Sequence, residues 1–377
     1  VSKILFLVPS DWYLFSHRKE LLSALVALGH DVHVFTEITV PKDEVPEELR
    51  SVTFHPFAGK GANKGLGLFE QMRATRDIIK TLDPDLVHVI TIRFLLLAPY
   101  LAVGRSMNSV ISIAGLGGLE QLSLPKRILV HSFLVLAKFK SGSKNIKYVF
   151  QNTVDGEVLL GKQFSRRLNE NVFLIRGAGV DIDQFSSEDK PSRNRNRILF
   201  AARLLKSKGI IEFIEAIKAS EISHRYRPTI AGRLDEASFD GLSENELEDQ
   251  VGGTGIEVLY DHRDMAALMT ETTVFVLPTN YAEGLPKVVL EAMAAGAVVI
   301  TTDWPDYDKV IDDGVSGLIV PKSKLSYQAL SRAITSLLDD HSKRTSMSHA
   351  ARRKVVDHFS TDYVVSAQLK VYGDWIN

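Results

Sequence analysis

The stretch VFVLPTNYAEGLPKVVLEAMAAGAVVIT (274–301) holds two short apolar runs, VFVLP (274–278) and VVIT (298–301), on either side of a helical pattern. The runs have the length and β-branched character of strands, and KVVLEAMAAG between them has helical spacing. Pro286 suits the first turn of that helix, where its missing N–H is not needed. A strand, a helix and a second strand in this order imply a parallel crossover. The same alternation extends outward. ILFAAR (198–203), RPTIAG (227–232), IEVLY (256–260) and GLIV (317–320) read as strands, KGIIEFIEAI (208–217) as a helix, and 325–377 as wholly helical.

Upstream, KILFLV (3–8) is a strand and about 15–28 a helix ended by Gly29. DVHVFT (31–36), LVHVIT (86–91), VISIAG (110–115), KYVFQN (147–152) and VFLIR (172–176) follow as strands, with helices after Arg93 and over 124–140. The polar run SSEDKPSRNRNR (186–197) separates the two series. The expected fold is α/β: two Rossmann-like, doubly wound domains facing each other across a cleft, followed by C-terminal helices.

Length and composition agree. At ~150 residues per domain, 377 residues suggest two domains. A composition of 45% hydrophobic and 24% charged residues excludes disorder, a collagen-like chain and a coiled coil. With no cysteine, disulfides and thiolate chemistry are out. No run reaches the ~20 apolar residues needed to cross a bilayer, and VSKILFLVPS lacks a signal-peptide cleavage pattern, so a cytoplasmic location is expected. The net charge of −1 hides an asymmetry. Residues 1–175 hold 21 Lys and Arg against 16 Asp and Glu, and 93–167 hold 11 basic residues against three acids. Such a patch attracts phosphates, anionic lipid or nucleic acid. No stacking-aromatic or zinc-finger pattern accompanies it, which argues against nucleic acid.

Ligands of open α/β sheets bind beyond the carboxyl ends of the strands, so the residues that follow strands carry the chemistry. After VFVLP, Glu283 stands at a helix mouth and Glu291 further along the helix. The amides around Gly284 and Leu285, with the helix dipole, form a place for an anion or for sugar hydroxyls. The two acids fit either hydrogen bonding to hydroxyls of one ligand, or a dipole-complementing acid and a surface acid on one helix. After ILFAAR, Arg203 ends the strand and Lys208 opens the next helix, an arrangement suited to a diphosphate or, equally, to a solvated basic loop.

Together, Arg203, Lys208 and the E-x7-E pair Glu283–Glu291 resemble the donor site of glycosyltransferase family 4, which has the GT-B fold. IRGAGVDIDQF (175–185) resembles that family's interdomain segment, and DHRDMAALM (261–269) the segment after its base-binding strand. FSHRKELLSALVALGHDVHVFT (15–36) and SIAGLGGL (112–119) resemble a bacterial subgroup that builds O-antigen, capsule and lipid-linked oligosaccharides. The resemblance implies an acceptor-binding domain over 1–176, a nucleotide-sugar-binding domain over 177–355, and a final helix over 356–377 that packs back on the first domain. It implies that Arg203 and Lys208 hold the donor diphosphate, Glu291 the ribose, and Glu283 with the amides of Gly284 and Leu285 the transferred sugar. It further implies retention of configuration, a UDP-sugar donor, a lipid-linked saccharide acceptor, and no metal or other cofactor.

Two departures stand out. Many relatives carry paired glycines after the first strand where this chain has PSDWYLFS (9–16), and a histidine where it has AGLGGL (114–119). His17 and Arg18 are the acceptor-side candidates in their place, although a lone histidine is often structural. Lys126, Arg127, Lys138 and Lys140, on an otherwise apolar stretch, fit either a core helix with a basic edge or a helix laid on an anionic membrane surface. The expectation is a peripheral enzyme on the inner face of the cytoplasmic membrane. Two readings compete: a GT-B transferase with a soluble small-molecule acceptor, and a nicotinamide-dependent oxidoreductase. The second lacks a G-x-G-x-x-G turn after the first strand.

Overall fold

A computed structural model describes residues 1–56, 68–90, 107–116, 143–186, 195–220, 222, 226–236, 238–280 and 284–376. The chain divides into two units, Val1–Ala178 with Val364–Asn377, and Gly179–Tyr363. The division after Ala178 falls two residues beyond the expected boundary at 176. The return to the first unit begins at Val364 rather than at 356.

The first unit is built on seven strands: β1 (Lys3–Ser10), β2 (Asp31–Glu37), β3 (Thr53–Pro56), β4 (Leu86–Ile90), β5 (Asn108–Ile113), β6 (Ile146–Phe150) and β7 (Val172–Leu174). They lie in the order β3-β2-β1-β4-β5-β6-β7, and every pairing is parallel. The order reverses between β1 and β4. The short β3 was not anticipated; TFHP has too little apolar content to stand out, and it pairs on the edge of β2.

Helices α1 (Asp11–His17), α2 (Lys19–Ala27), α3 (Leu68–Leu82), α4 (Thr153–Leu160) and α5 (Lys162–Arg167) belong to this unit. The single helix expected over 15–28 is two helices, because Arg18, at φ −137°, leaves the helical region. The first helix starts early because the Ser10 hydroxyl caps it by accepting from the Tyr13 amide. Asp11 is buried and accepts from the amides of Trp12, Thr39 and Val40 and from the Thr39 hydroxyl, which fixes the loop after β2 to the end of β1.

The second unit carries β8 (Arg197–Ala201), β9 (Arg227–Gly232), β10 (Glu257–Tyr260), β11 (Thr272–Leu277), β12 (Val298–Thr301) and β13 (Gly317–Ile319). All pair in parallel in the order β10-β9-β8-β11-β12-β13, so the order reverses between β8 and β11. Its helices are α6 (Ile210–Ser220), α7 (Glu244–Val251), α8 (Met265–Thr270), α9 (Lys287–Ala294), α10 (Tyr327–Asp339) and α11 (His341–His358). The last helix, α12 (Thr361–Tyr372), crosses from the second unit into the first. Central strands such as β8 and β11 are apolar and buried almost throughout, as a sheet covered on both faces requires.

A polar knot crosses the base of this sheet. The buried Arg197 guanidinium donates to Glu257 at 2.6 Å, to Glu271 at 3.1 Å and to the Thr229 hydroxyl. The hydrogen bond from Arg197 holds the Glu257 carboxyl below its ordinary range.

The return of the chain to the first unit is fixed by a buried histidine. His88, in the middle of β4, meets the Tyr372 hydroxyl through Nδ1 and the Ser112 hydroxyl through Nε2, both at 2.7 Å. Burial, with Arg18 nearby, pushes the imidazole well below its ordinary value of 6.5, so it is neutral in the native chain. Below that value the unfolded chain binds more protons than the folded one, and stability falls with pH. Tyr372→Phe leaves a buried ring nitrogen unpaired and is expected to cost about 1–3 kcal/mol in denaturant unfolding. His88→Gln is expected to flatten the loss of thermal midpoint on acidification below pH 6.5.

Candidate functional site

In the second unit the carboxyl ends of β8 and β11 feed two loops, 202–209 and 278–286, at the reversal of strand order. This is where a doubly wound sheet opens a crevice. The loops touch. The Asn280 amide donates to the Ser207 carbonyl at 2.7 Å. A Cβ on Gly209 would lie 2.3 Å from the Pro278 carbonyl oxygen, and Gly209 has φ +83°, so this position demands glycine. Beneath the loops, the buried hydroxyls of Thr301 and Thr302 donate to the carbonyls of Leu277 and Thr279.

Two sequence expectations are corrected here. Arg203 lies two residues beyond the end of β8, and Lys208 ends a 3-10 turn (Lys206–Lys208) rather than opening the helix, which starts at Ile210 after Gly209. The tight turn is what the Gly209–Pro278 approach requires. It leaves Lys208 only 7% exposed, far from the solvated loop that its neighbours suggested. Arg203 remains open to solvent and pairs with Asp235, on the loop after β9, at 3.0 Å. Asp240 anchors the turn through the amides of Ser207 and Lys206, the first to its carboxylate at 3.0 Å, the second to its carbonyl at 2.9 Å. Burial alone would raise the Asp240 carboxyl; hydrogen bonds from Ser207 and Ser238 outweigh it and lower it.

Gly284 is buried and Leu285 packs on the core. Their amides donate no hydrogen bond among the described residues, and Pro286 at the N-cap leaves the first turn of α9 without a side-chain cap. Donors and the positive end of a helix dipole thus stand ready for an anion. Glu291, whose side chain is 15% exposed, sits 3.6 Å from Lys287 one turn earlier. Burial raises its carboxyl and Lys287 opposes the rise. Glu283 lies outside the described residues, as do Lys126, Arg127, Lys138 and Lys140.

Sequence reasoning missed Asp235, Asp240 and Lys287. Asp235 follows a strand and meets the criterion that found Arg203, while Lys287 stands at i−4 to Glu291. Asp240 had no local signal, because the turn residues it anchors, Ser207 and Lys206, are 33 and 34 residues away.

In the first unit, His17 ends α1, stacked on Tyr13 with ring centroids 4.5 Å apart and with its edge to Trp12. Burial raises the Tyr13 hydroxyl, against the opposing effect of Arg18. Arg18 is 5% exposed, and its Nε has no hydrogen-bond partner among the described residues. A buried guanidinium with no ion pair among the described residues is costly, and an anionic ligand is one way to offset it.

Residues 3–153 match the family model described as glycosyl transferase 4-like, and 181–354 the model for glycosyl transferases group 1. The chain belongs to the GT-B glycosyltransferases. The fold agrees with the HepE protein of Anabaena, solved in complex with UDP, at a TM-score of 0.74 and 15% identity over 98% of each chain. Curated relatives of this glycosyltransferase include an alpha-maltose-1-phosphate synthase of Mycobacterium tuberculosis, 29% identical over 48% of each chain. A GDP-mannose:cellobiosyl-diphosphopolyprenol alpha-mannosyltransferase of Xanthomonas campestris is also 29% identical, over 49% of this chain and 50% of its own. The chain spans about half the length of the curated relatives it matches. Family membership decides against the nicotinamide reading that a Rossmann-like fold alone left open.

Gly209→Ala places a side chain against the Pro278 carbonyl at a positive φ. It is expected to cost about 1–3 kcal/mol, measured by denaturant unfolding of the full chain.

Proposed function

We propose that the protein is a retaining hexosyltransferase that moves a hexose or N-acetylhexosamine from a UDP-sugar to a polyprenyl-diphosphate-linked saccharide in surface polysaccharide biosynthesis. The observation that carries the donor half is the burial of Lys208 on a rigid turn, in contact with the loop that leads to the uncapped α9. In this reading Arg203 and Lys208 face the diphosphate, the Gly284 and Leu285 amides and Glu283 the sugar, and Glu291 the ribose hydroxyls. Solved HepE, bound to UDP, supports the choice of uridine; the mannosyltransferase relative, named for GDP-mannose, makes guanosine the comparison to run.

The chemistry follows from the charges. The C1–oxygen bond to the diphosphate breaks and its electron pair leaves with the diphosphate. The acceptor hydroxyl forms the new bond to C1 on the same face, and its proton passes to the departing oxygen. Fixed cations and amides aimed at that developing charge lower the barrier, the task a divalent metal performs elsewhere. Among the described residues no three His, Asp or Glu side chains gather to hold a metal. The reaction is proposed to need none.

Arg18 supports an acceptor that carries negative charge, and the name of the Xanthomonas relative includes a diphosphopolyprenol. No helix among the described residues is long and apolar enough to cross a membrane. The proposed location is cytoplasmic and peripheral, with Lys126, Arg127, Lys138 and Lys140 meeting anionic lipid. The Mycobacterium relative, named for a sugar phosphate, favours a second reading in which the acceptor is small and soluble.

Scanning fluorimetry with UDP, GDP and ADP is expected to show stabilisation by UDP that survives EDTA. Loss of the UDP response in EDTA would refute metal independence. Lys208→Ala and Glu283→Ala are each expected to lower transfer by at least about 10²-fold with the fold intact. Arg18→Ala is expected to raise KM for a polyprenyl-diphosphate acceptor while leaving KM for the same saccharide without diphosphate unchanged. An equal effect on both would remove Arg18 from the acceptor site.

A further inference from the structure

The loop that carries Arg203 and Lys208 is laced along one side by residues between β9 and α7. The Leu204 amide donates to the Arg233 carbonyl at 2.9 Å, the Lys206 amide to the Asp240 carbonyl at 2.9 Å, and the Leu242 amide to the Leu204 carbonyl at 3.3 Å. Leu205 and Gly241 form an antiparallel bridge. The Ser238 amide donates to the Asp235 carbonyl, and the Gly241 amide to the Ser238 carbonyl. A Cβ on Gly241 would overlap the same Asp235 carbonyl, so the backbone of Asp235 is closed in by its own turn. Asp235 is braced beside Arg203 rather than swung there by chance.

The Arg203–Asp235 pair is 3.0 Å long, with the two side chains 46% and 32% exposed. A pair this open contributes little to stability. Its consequence lies in the field: the cation that the donor reading assigns to the diphosphate has a fixed carboxylate next to it. A phosphate held by the same guanidinium lies with its charge roughly 6 Å from that carboxylate. Asp235 thus opposes any anion that Arg203 attracts, in proportion to the charge of that anion.

Donor and product differ in that charge. The diphosphate of a nucleoside diphosphate sugar carries two negative charges. When the C1–oxygen bond breaks, its electron pair stays with the diphosphate, and the acceptor's proton arrives on the freed oxygen. Above about pH 6 the new terminal phosphate passes that proton to water and holds a third charge.

We propose that Asp235 is a positioning residue that weakens the hold of Arg203 on the released nucleoside diphosphate more than on the nucleoside diphosphate sugar, and so favours product release. The inference rests on the reading in which Arg203 faces the diphosphate. It is independent of the base and of the acceptor. At roughly 6 Å, even through a water-like dielectric, one extra like charge is worth about threefold in affinity.

The test is calorimetric titration of the full chain with UDP and UDP-glucose, and with GDP and GDP-mannose, at about pH 8 and about pH 5. Wild type, Asp235→Asn, Asp235→Glu and Arg203→Gln are compared. For the base that binds, Asp235→Asn is expected to tighten the diphosphate relative to its sugar by at least about threefold at the higher pH. Asp235→Glu is expected to keep the wild-type ratio, and the effect of Asp235→Asn on the ratio is expected to vanish at the lower pH. An equal change for both ligands in Asp235→Asn would make Asp235 a brace of the loop alone and overturn the proposal. A shift in ratio that persists at the lower pH would overturn it too, because the diphosphate then carries no extra charge. Failure of either pair to bind the wild type, or binding unaltered by Arg203→Gln, would refute the donor reading itself, and the proposal falls with it.

Discussion

The second unit depends on one close approach, that of Gly209 to the Pro278 carbonyl. The two residues lie on the loops that leave β8 and β11, neighbouring strands at which the strand order reverses. An approach this close excludes a side chain at 209, which also has a positive φ. The turn that satisfies both ends at Lys208 and draws it into the protein. A buried ammonium on a rigid turn needs no reorganisation when a charged ligand arrives, and it acts through a lower dielectric than a solvated lysine does. Backbone sterics, rather than the lysine itself, set the electrostatics of this corner.

The first unit solves a different problem with the same material. Its central strand β4 places a histidine where an apolar residue would be ordinary, and that histidine is satisfied on both ring nitrogens by Tyr372 and Ser112. The polar pair fixes which turn of α12 docks and at what register, a specificity that apolar packing alone gives less sharply. Arg18 lies close enough to oppose the burial of Tyr13 and Tyr372 and to depress His88. A neutral imidazole beside it avoids adding a second buried cation.

Much of this was legible in the sequence, for identifiable reasons. Fully buried parallel strands are apolar on consecutive residues, so β8, β11 and β12 announced themselves, and helix–strand alternation then dictated parallel pairing. Placement after strands located Arg203 and Lys208. Their environments were not legible. The ion pair of Arg203 depends on Asp235, 32 residues away, and the turn that holds Lys208 on the approach of Gly209 to Pro278, so local pattern held neither. The break at Arg18 was hidden because residues 15–28 keep helical spacing across it. β3 was hidden because four residues on an edge strand carry almost no periodicity.

Parallel α/β sheets also impose an asymmetry on where anions can bind. At the carboxyl ends of the strands the helices begin, so amides and dipoles already favour negative charge. At the other end the helices finish, and their carbonyls repel an anion. Cations there must first neutralise α9 and α10 before any attraction is left over. Arg195, Arg344 and Arg352 supply that neutralisation through hydrogen bonds to five carbonyls at the ends of the two helices.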